Sequence, residues 1–309
     1  MRKLNSSKIK EWSVCLACAV ALCGCAYHTP DEDWEKNGRV RLLLDWQTRS
    51  LPAVMTCYFY KDGADAPIVR RGDASGYEGT LPVGRYRVVV CNTDCENILL
   101  ETDKGYETAC GRARQSSSLK SSAVSIAQPG NLYGTGCEAV DIDGEEIAVC
   151  ELTPANLVRN LELNIKIAGG ETDVMVHPGK LTGRLMGLSS GVYLTSGKPL
   201  SGTPAFMSFE PELTSSGVYT AMLNLFNLPE EEEASSPVNL LLDMELSDGR
   251  EVSTSTDITG EIGKAFVENT FSVVLDLTIR YDEIGGLTII LSEWKKGNEG
   301  SSVVDPENG

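Results

Sequence analysis

Apolar residues recur at every second position through most of the chain, which is the period of a half-buried strand. In Arg39 to Trp46 the residues Val40, Leu42, Leu44 and Trp46 fall on one face. Val54 to Tyr60 is a second strand, ending at the turn Lys61-Asp62-Gly63. Tyr77 to Leu81 is a third, and Pro82-Val83-Gly84 turns it into Arg85 to Cys91. β-branched and aromatic runs between Gly, Pro, Asp and Asn clusters predict hairpins. From Glu101 to Asn131 the pattern fades; Ser116–Ser118, Ser121-Ser122 and Gln128-Pro129-Gly130 predict a long loop with at most one short strand. Pattern returns at Ile147 to Leu152, and Pro154-Ala155-Asn156 is the expected domain boundary.

The second half opens on the clearest alternation, with Leu161, Leu163, Ile165 and Ile167 between Glu162, Asn164 and Lys166. Further strands are predicted at 191–195, 205–209, 218–226, 238–246, 271–281 and 287–292, and a short helical turn at 260–267. Many short strands with little helix predict an all-β protein built of sandwiches.

The N-terminus follows a different rule. Arg2, Lys3, Lys8 and Lys10 precede a short apolar run from Val14 to Leu22. Basic start, short apolar core and small residues at its end describe a signal peptide. The run is well below the ~20 residues that span a bilayer. Leu22-Cys23-Gly24-Cys25 resembles a bacterial lipobox, with cleavage between Gly24 and Cys25 and acylation of the Cys25 thiol. Several acyl chains hold far more firmly than one, at about 0.8 kcal/mol per buried methylene. Asp31-Glu32-Asp33 resembles the surface-export signal of lipoproteins in fimbrillin-bearing Gram-negative anaerobes.

The chain carries 27 basic and 44 acidic residues. Residues 1–24 hold four of the basic and one of the acidic, so the mature chain has 23 and 43, a formal charge of −20. That balance argues against nucleic acid and against an electrostatic grip on anionic lipid. Six cysteines lie beyond Cys25: Cys57, Cys91, Cys95, Cys110, Cys137 and Cys150. An even number in an exported protein suggests disulfides, but six thiols allow about 15 pairings. Small buried thiols are the alternative.

Chemistry is sparse. Gly187-Leu188-Ser189-Ser190-Gly191 fits a nucleophile elbow as a string, but the two histidines, His28 and His177, both precede it. Asp141-Ile142-Asp143-Gly144-Glu145-Glu146 opens like a calcium loop, yet its twelfth position is Leu152. Cys91, Cys95 and Cys110 lack a fourth zinc ligand or a nearby histidine. Arg71-Gly72-Asp73 is an adhesive tripeptide that arises readily by chance, and Glu230–Glu233 reads as a solvated loop. The expectation is no catalytic set, no metal and no cofactor.

Three motifs then carry a resemblance. A strand ending in Asp45-Trp46, the run Cys57-Tyr58-Phe59-Tyr60, and Leu81-Pro82-Val83-Gly84-Arg85-Tyr86-Arg87-Val88-Val89-Val90 follow the lipobox in that order. Leu181 to Ser189, Val192 to Leu194, Leu246 to Arg250 and Asp257 to Thr259 continue it. The chain resembles fimbrillin-like lipoproteins related to the minor anchor subunits of type V pili. The resemblance implies two tandem transthyretin-like β-sandwiches, a lipid anchor in the outer membrane, surface exposure and fimbrillin-type pilin partners. The segments expected are a signal peptide at 1–24, a lipidated tether at 25–37, sandwiches at 38–153 and 154–294, and a polar tail at 295–309. The tail is too polar for a long donor strand, which favours an anchor or accessory subunit over a stalk pilin. A surface glycan-binding lipoprotein of a nutrient-uptake system is the alternative; it wants exposed aromatics, and only 6% of the chain is aromatic.

Overall fold

A computed structural model describes residues 36–47, 51–116, 124–169, 174–175, 178–228, 237–246, 249–267, 272–282, 286–291 and 295–296. The signal peptide, the lipobox with Cys25, residues 26–35, both histidines, Trp34, Trp294, the Glu230–Glu233 run and residues 297–309 lie outside the described residues.

The first half holds β1 (Asn37–Leu44), β2 (Met55–Lys61), β3 (Ile68–Gly72), β4 (Gly76–Pro82) and β5 (Gly84–Asn92). After β6 (Ile98–Glu101) come a 3-10 turn at Tyr106–Thr108, β7 (Cys110–Ala113) and β8 (Val124–Ser125), then β9 (Tyr133–Ile142) and β10 (Ile147–Leu152). The second half begins with β11 (Ala155–Asn156), β12 (Val158–Gly169), β13 (Val174–Met175), β14 (Lys180–Leu188), β15 (Gly191–Tyr193) and β16 (Ala205–Phe209). It continues with β17 (Glu212–Leu213), β18 (Tyr219–Phe226), β19 (Asn239–Glu245), β20 (Glu251–Asp257), helix α1 (Thr259–Val267), β21 (Ser272–Asp282), β22 (Gly286–Leu291) and β23 (Lys295–Lys296). The protein is all-β, as the alternation predicts.

In the first half a sheet ordered β10-β1-β4 covers one ordered β11-β9-β5-β2-β3. Val40, Leu42, Met55, Phe59, Leu81, Tyr86, Val88 and Val140 fill the space between them. Two hairpins pass from one sheet to the other, β3–β4 at one corner and β9–β10 at the opposite corner. The other face of the five-stranded sheet, with Tyr58, Tyr60, Val89 and Cys91, is also buried. A small sheet ordered β15-β7-β6 belongs to this half of the fold.

The second half pairs a sheet ordered β17-β18-β12-β21-β22 with one ordered β20-β19-β14-β16-β8. β12 keeps the predicted alternation: Leu161, Leu163, Ile165 and Ile167 are buried between half-buried or exposed polar neighbours. It lies antiparallel to β18 and parallel to β21. Helix α1 stands where the helical turn is predicted, and the Asp257 carboxylate accepts from the Thr259 amide at 2.9 Å to start it.

Several elements depart from the expected pattern, and β3, β6 and β14 are strands that it leaves out. Glu101 to Asn131 holds two short strands rather than a long loop with at most one: β7 lies between β6 and β15, and β8 pairs with β16. β9 is a paired interior strand that alternation misses. A Cβ at Gly134 would sit 2.7 Å from Leu157 Cδ1, and one at Gly136 would sit 2.8 Å from the Tyr106 hydroxyl. Neighbouring side chains fill the space that apolar residues of β9 would otherwise occupy. β20, Glu-Val-Ser-Thr-Ser-Thr-Asp, is a polar edge strand with no apolar stripe to announce it.

The expected junction at residues 153–154 falls between β10 and β11, and strands cross it both ways. β8 of the first half extends a second-half sheet, while β15 of the second half joins β7. The larger core draws on both halves, and the described residues from Gly38 onward belong to one compact unit.

Candidate functional site

The corner at β3–β4 carries an open groove of about 630 Å³, lined by Arg41, Leu43, Arg71, Asp73, Tyr77 and Glu78 among others. A tight turn shapes it. The Asp73 amide donates to the Gly76 carbonyl and the Gly76 amide to the Asp73 carbonyl, both at 3.1 Å. The Asp73 carboxylate accepts from the Ser75 amide at 2.8 Å and the Ser75 hydroxyl at 2.6 Å. These bonds hold the Asp73 carboxyl below the usual carboxylate range. Gly76 has φ +125°, and a Cβ there would meet the Leu42 carbonyl oxygen. The turn is pinned to the first strand: Leu44 N–H donates to Ser75 O at 3.2 Å, and Trp46 Nε1 donates to Ala74 O at 2.5 Å.

On the wall of the groove, Glu78 accepts from Arg39 and Arg41, each at 2.8 Å. The hydrogen bonds from Arg41 and then Arg39 keep its carboxyl low, and Glu78 raises Arg41 in turn. Two guanidiniums share one carboxylate here, so this wall is locally basic on a chain of net charge −17. The Ser75 hydroxyl spends its proton on the Asp73 carboxylate and so braces the turn. The Arg71-Gly72-Asp73 tripeptide runs into this turn, with its carboxylate engaged by Ser75.

The other sequence motifs serve as turns. Ser189 bridges β14 and β15; its hydroxyl donates to Gly191 O at 2.6 Å and lies 3.2 Å from Leu200 O. No helix follows it there, so the strand-to-helix elbow does not form. Asp143 caps the β9–β10 turn by accepting from the amides of Glu145 at 2.9 Å and Glu146 at 3.3 Å. Among the described residues no group of three or more His, Cys, Asp or Glu stands together to hold a metal.

The six cysteines are free thiols in this structure, spread over both sides of the five-stranded sheet. Cys57 faces the smaller core and Cys91 the larger one. Burial pushes Cys57 up to about 12 and raises Cys91, Cys95 and Cys110 as well. Cys137 and Cys150 meet side chain to side chain, and burial with that contact lifts Cys150 to about 12. Sequence reading named all six but had no means of choosing this pair, because the contact joins two sheets.

Among the described residues the aromatic side chains are buried or half-buried. Trp46 packs edge-on against Tyr133 at 5.4 Å, and Tyr60 against Tyr106 at 6.3 Å. The large apolar residues exposed among the described ones are aliphatic, such as Leu43, Val69 and Val149.

Comparison with known proteins places this fold. Residues 24–210 match the family described as Domain of unknown function (DUF5119). A candidate fimbrium anchoring subunit, Fim4B, of Bacteroides ovatus is 26% identical over 164 residues, or 51% of this chain and 49% of that protein. The match thus spans about half the length of this curated relative. Among solved structures, the fimbrial anchor protein Mfa2 from Porphyromonas gingivalis superposes with a TM-score of 0.56 at 13% identity, covering 83% of this chain and 96% of that one. A Bacteroides thetaiotaomicron structure described as candidate polysaccharide-binding protein (DUF1812) gives 0.58 at 10% identity, covering 85% and 99%. At these identities the structures show a shared fold.

Proposed function

Since this chain belongs to the DUF5119 family, we propose that it is a non-enzymatic surface lipoprotein that anchors or completes a pilus of type V, holding or capping fimbrillin-type polymers. The observation that carries the reading is the sequence match to the Bacteroides ovatus anchoring-subunit candidate. The shared fold with a fimbrial anchor protein agrees with it.

Under this reading Cys25 bears the lipid after cleavage at Gly24, residues 25–37 form the tether, and the body stands on the outer membrane facing outward. The family match beginning at Gly24 supports a mature chain that starts beside it. Sandwiches at 38–153 and 154–294 would present sheet edges, to which a pilin strand adds by main-chain hydrogen bonds. The packing of Trp46 on Tyr133 and of Tyr60 on Tyr106 takes those rings away from glycan stacking and supports this reading.

Deleting the gene should release pili from cells or lengthen them; unchanged attachment and length would sink the reading. Feeding a labelled lipid precursor should mark the wild-type protein and leave Cys25→Ala unlabelled.

A further inference from the structure

We infer that Cys137 and Cys150 form an intersheet disulfide that closes the β9–β10 corner of the first sandwich. Two registers put both thiols in the same gap. Cys150 is paired with Leu42 across β10 and β1, and Cys137 with Val88 across β9 and β5. Residues opposite one another in a ladder project to the same face. Leu42 and Val88 both lie in the smaller core, so the two cysteines enter it from facing sheets. Their side chains touch there, and both remain partly exposed at the rim. An oxidant can therefore reach them.

The other thiols are placed differently. Cys57 and Cys91 sit on adjacent strands but face opposite sides of their sheet, in separate cores. Cys91 is fully buried and Cys110 lies beside Glu101.

The reaction is exchange with an external disulfide, either a small one such as oxidised glutathione or that of a thiol–disulfide oxidoreductase. One cysteine thiolate attacks it and expels a thiolate; the second cysteine attacks the resulting mixed disulfide and expels the other. One S–S bond forms and one breaks. The two cysteine protons pass to the two departing thiolates, and the protein loses two electrons to the reagent. The linked loop runs around the Asp143 turn, a stretch of about 14 residues, for which a closure of this length raises the thermal midpoint by roughly 5–10 °C.

The test is to equilibrate the purified full chain with glutathione at a series of redox ratios, alkylate, digest without reduction and map by mass spectrometry. A linked peptide joining Cys137 to Cys150, two hydrogens lighter than its halves, is expected, together with a rise in thermal midpoint. The Cys137→Ser, Cys150→Ser double variant should show the low midpoint at every ratio. Separate glutathione adducts on the two residues, free alkylation of both under oxidising conditions, or linkage of either to another cysteine would overturn the inference. Should the double variant fail to fold, the wild-type peptide map decides alone.

Discussion

Gly76 is the residue on which the β3–β4 corner turns. Its φ of +125° and the Leu42 carbonyl above its Cα leave no room for a side chain. Gly76→Ala should cost about 1–3 kcal/mol, read as a lower urea midpoint at unchanged slope. Acid should act on residues of the same kind. Asp73, Asp143 and Asp257 all have folded-state carboxyls held low by hydrogen bonds, to Ser75, Glu145 and Thr259 respectively. Their contribution is complete above the unfolded value of ~3.9 and is lost as pH falls through the lower folded values. The thermal midpoint should therefore fall below about pH 4, and Asp257→Asn should flatten that fall. These residues were legible in sequence only as turn formers. In the sequence Asp143 belongs to a turn-like acidic string and Asp73 to a tripeptide; which amides they cap depends on backbone that only the fold supplies.

At the scale of elements, alternation identified many of the strands whose one face meets a core and whose other meets water, but not β14, where Leu181 and Leu185 alternate with Thr182 and Arg184. β12 is the clearest case, with Leu163 fully buried opposite Ala221 and Leu275. Leu163→Ala should destabilise by about 3 kcal/mol, measured by denaturant unfolding. A loss under 1 kcal/mol would mean that this core is looser than its burial indicates. At other strands alternation failed because its physical cause was absent. β9 carries glycines because Tyr106 and Leu157 occupy its flanks, β20 has a polar edge, and β7 and β8 are too short to show a period. The groove beside β4 was equally hidden, since Arg39, Arg41 and Glu78 meet across strands nearly forty residues apart.

At the scale of the whole molecule, the halves hold one another. Besides the β8–β16 and β7–β15 pairings, Leu194 N–H donates to Ala109 O at 2.9 Å and Asn224 Nδ2 to Pro129 O at 3.0 Å. Unfolding of 38–296 should be a single transition, with amides near Val124–Ile126 and Gly191–Leu194 exchanging together with both sandwiches. Two well-separated transitions in calorimetry would show that these crossings are weak. The lipobox and the family motifs pointed to a tethered fimbrial fold, but nothing in their spacing signalled that strands would pass between halves. Such pairings are non-local, and a local pattern does not encode its distant partner.

β1 is the first described strand after the N-terminal segment, and it lies between β10 and β4 rather than at an edge. Tension arriving along it is divided between two ladders and loads their hydrogen bonds together in shear. An edge strand pulled the same way would peel from its single neighbour bond by bond. A body hauled by its leading end would therefore resist at a strand braced on both sides, and rupture under load should begin elsewhere.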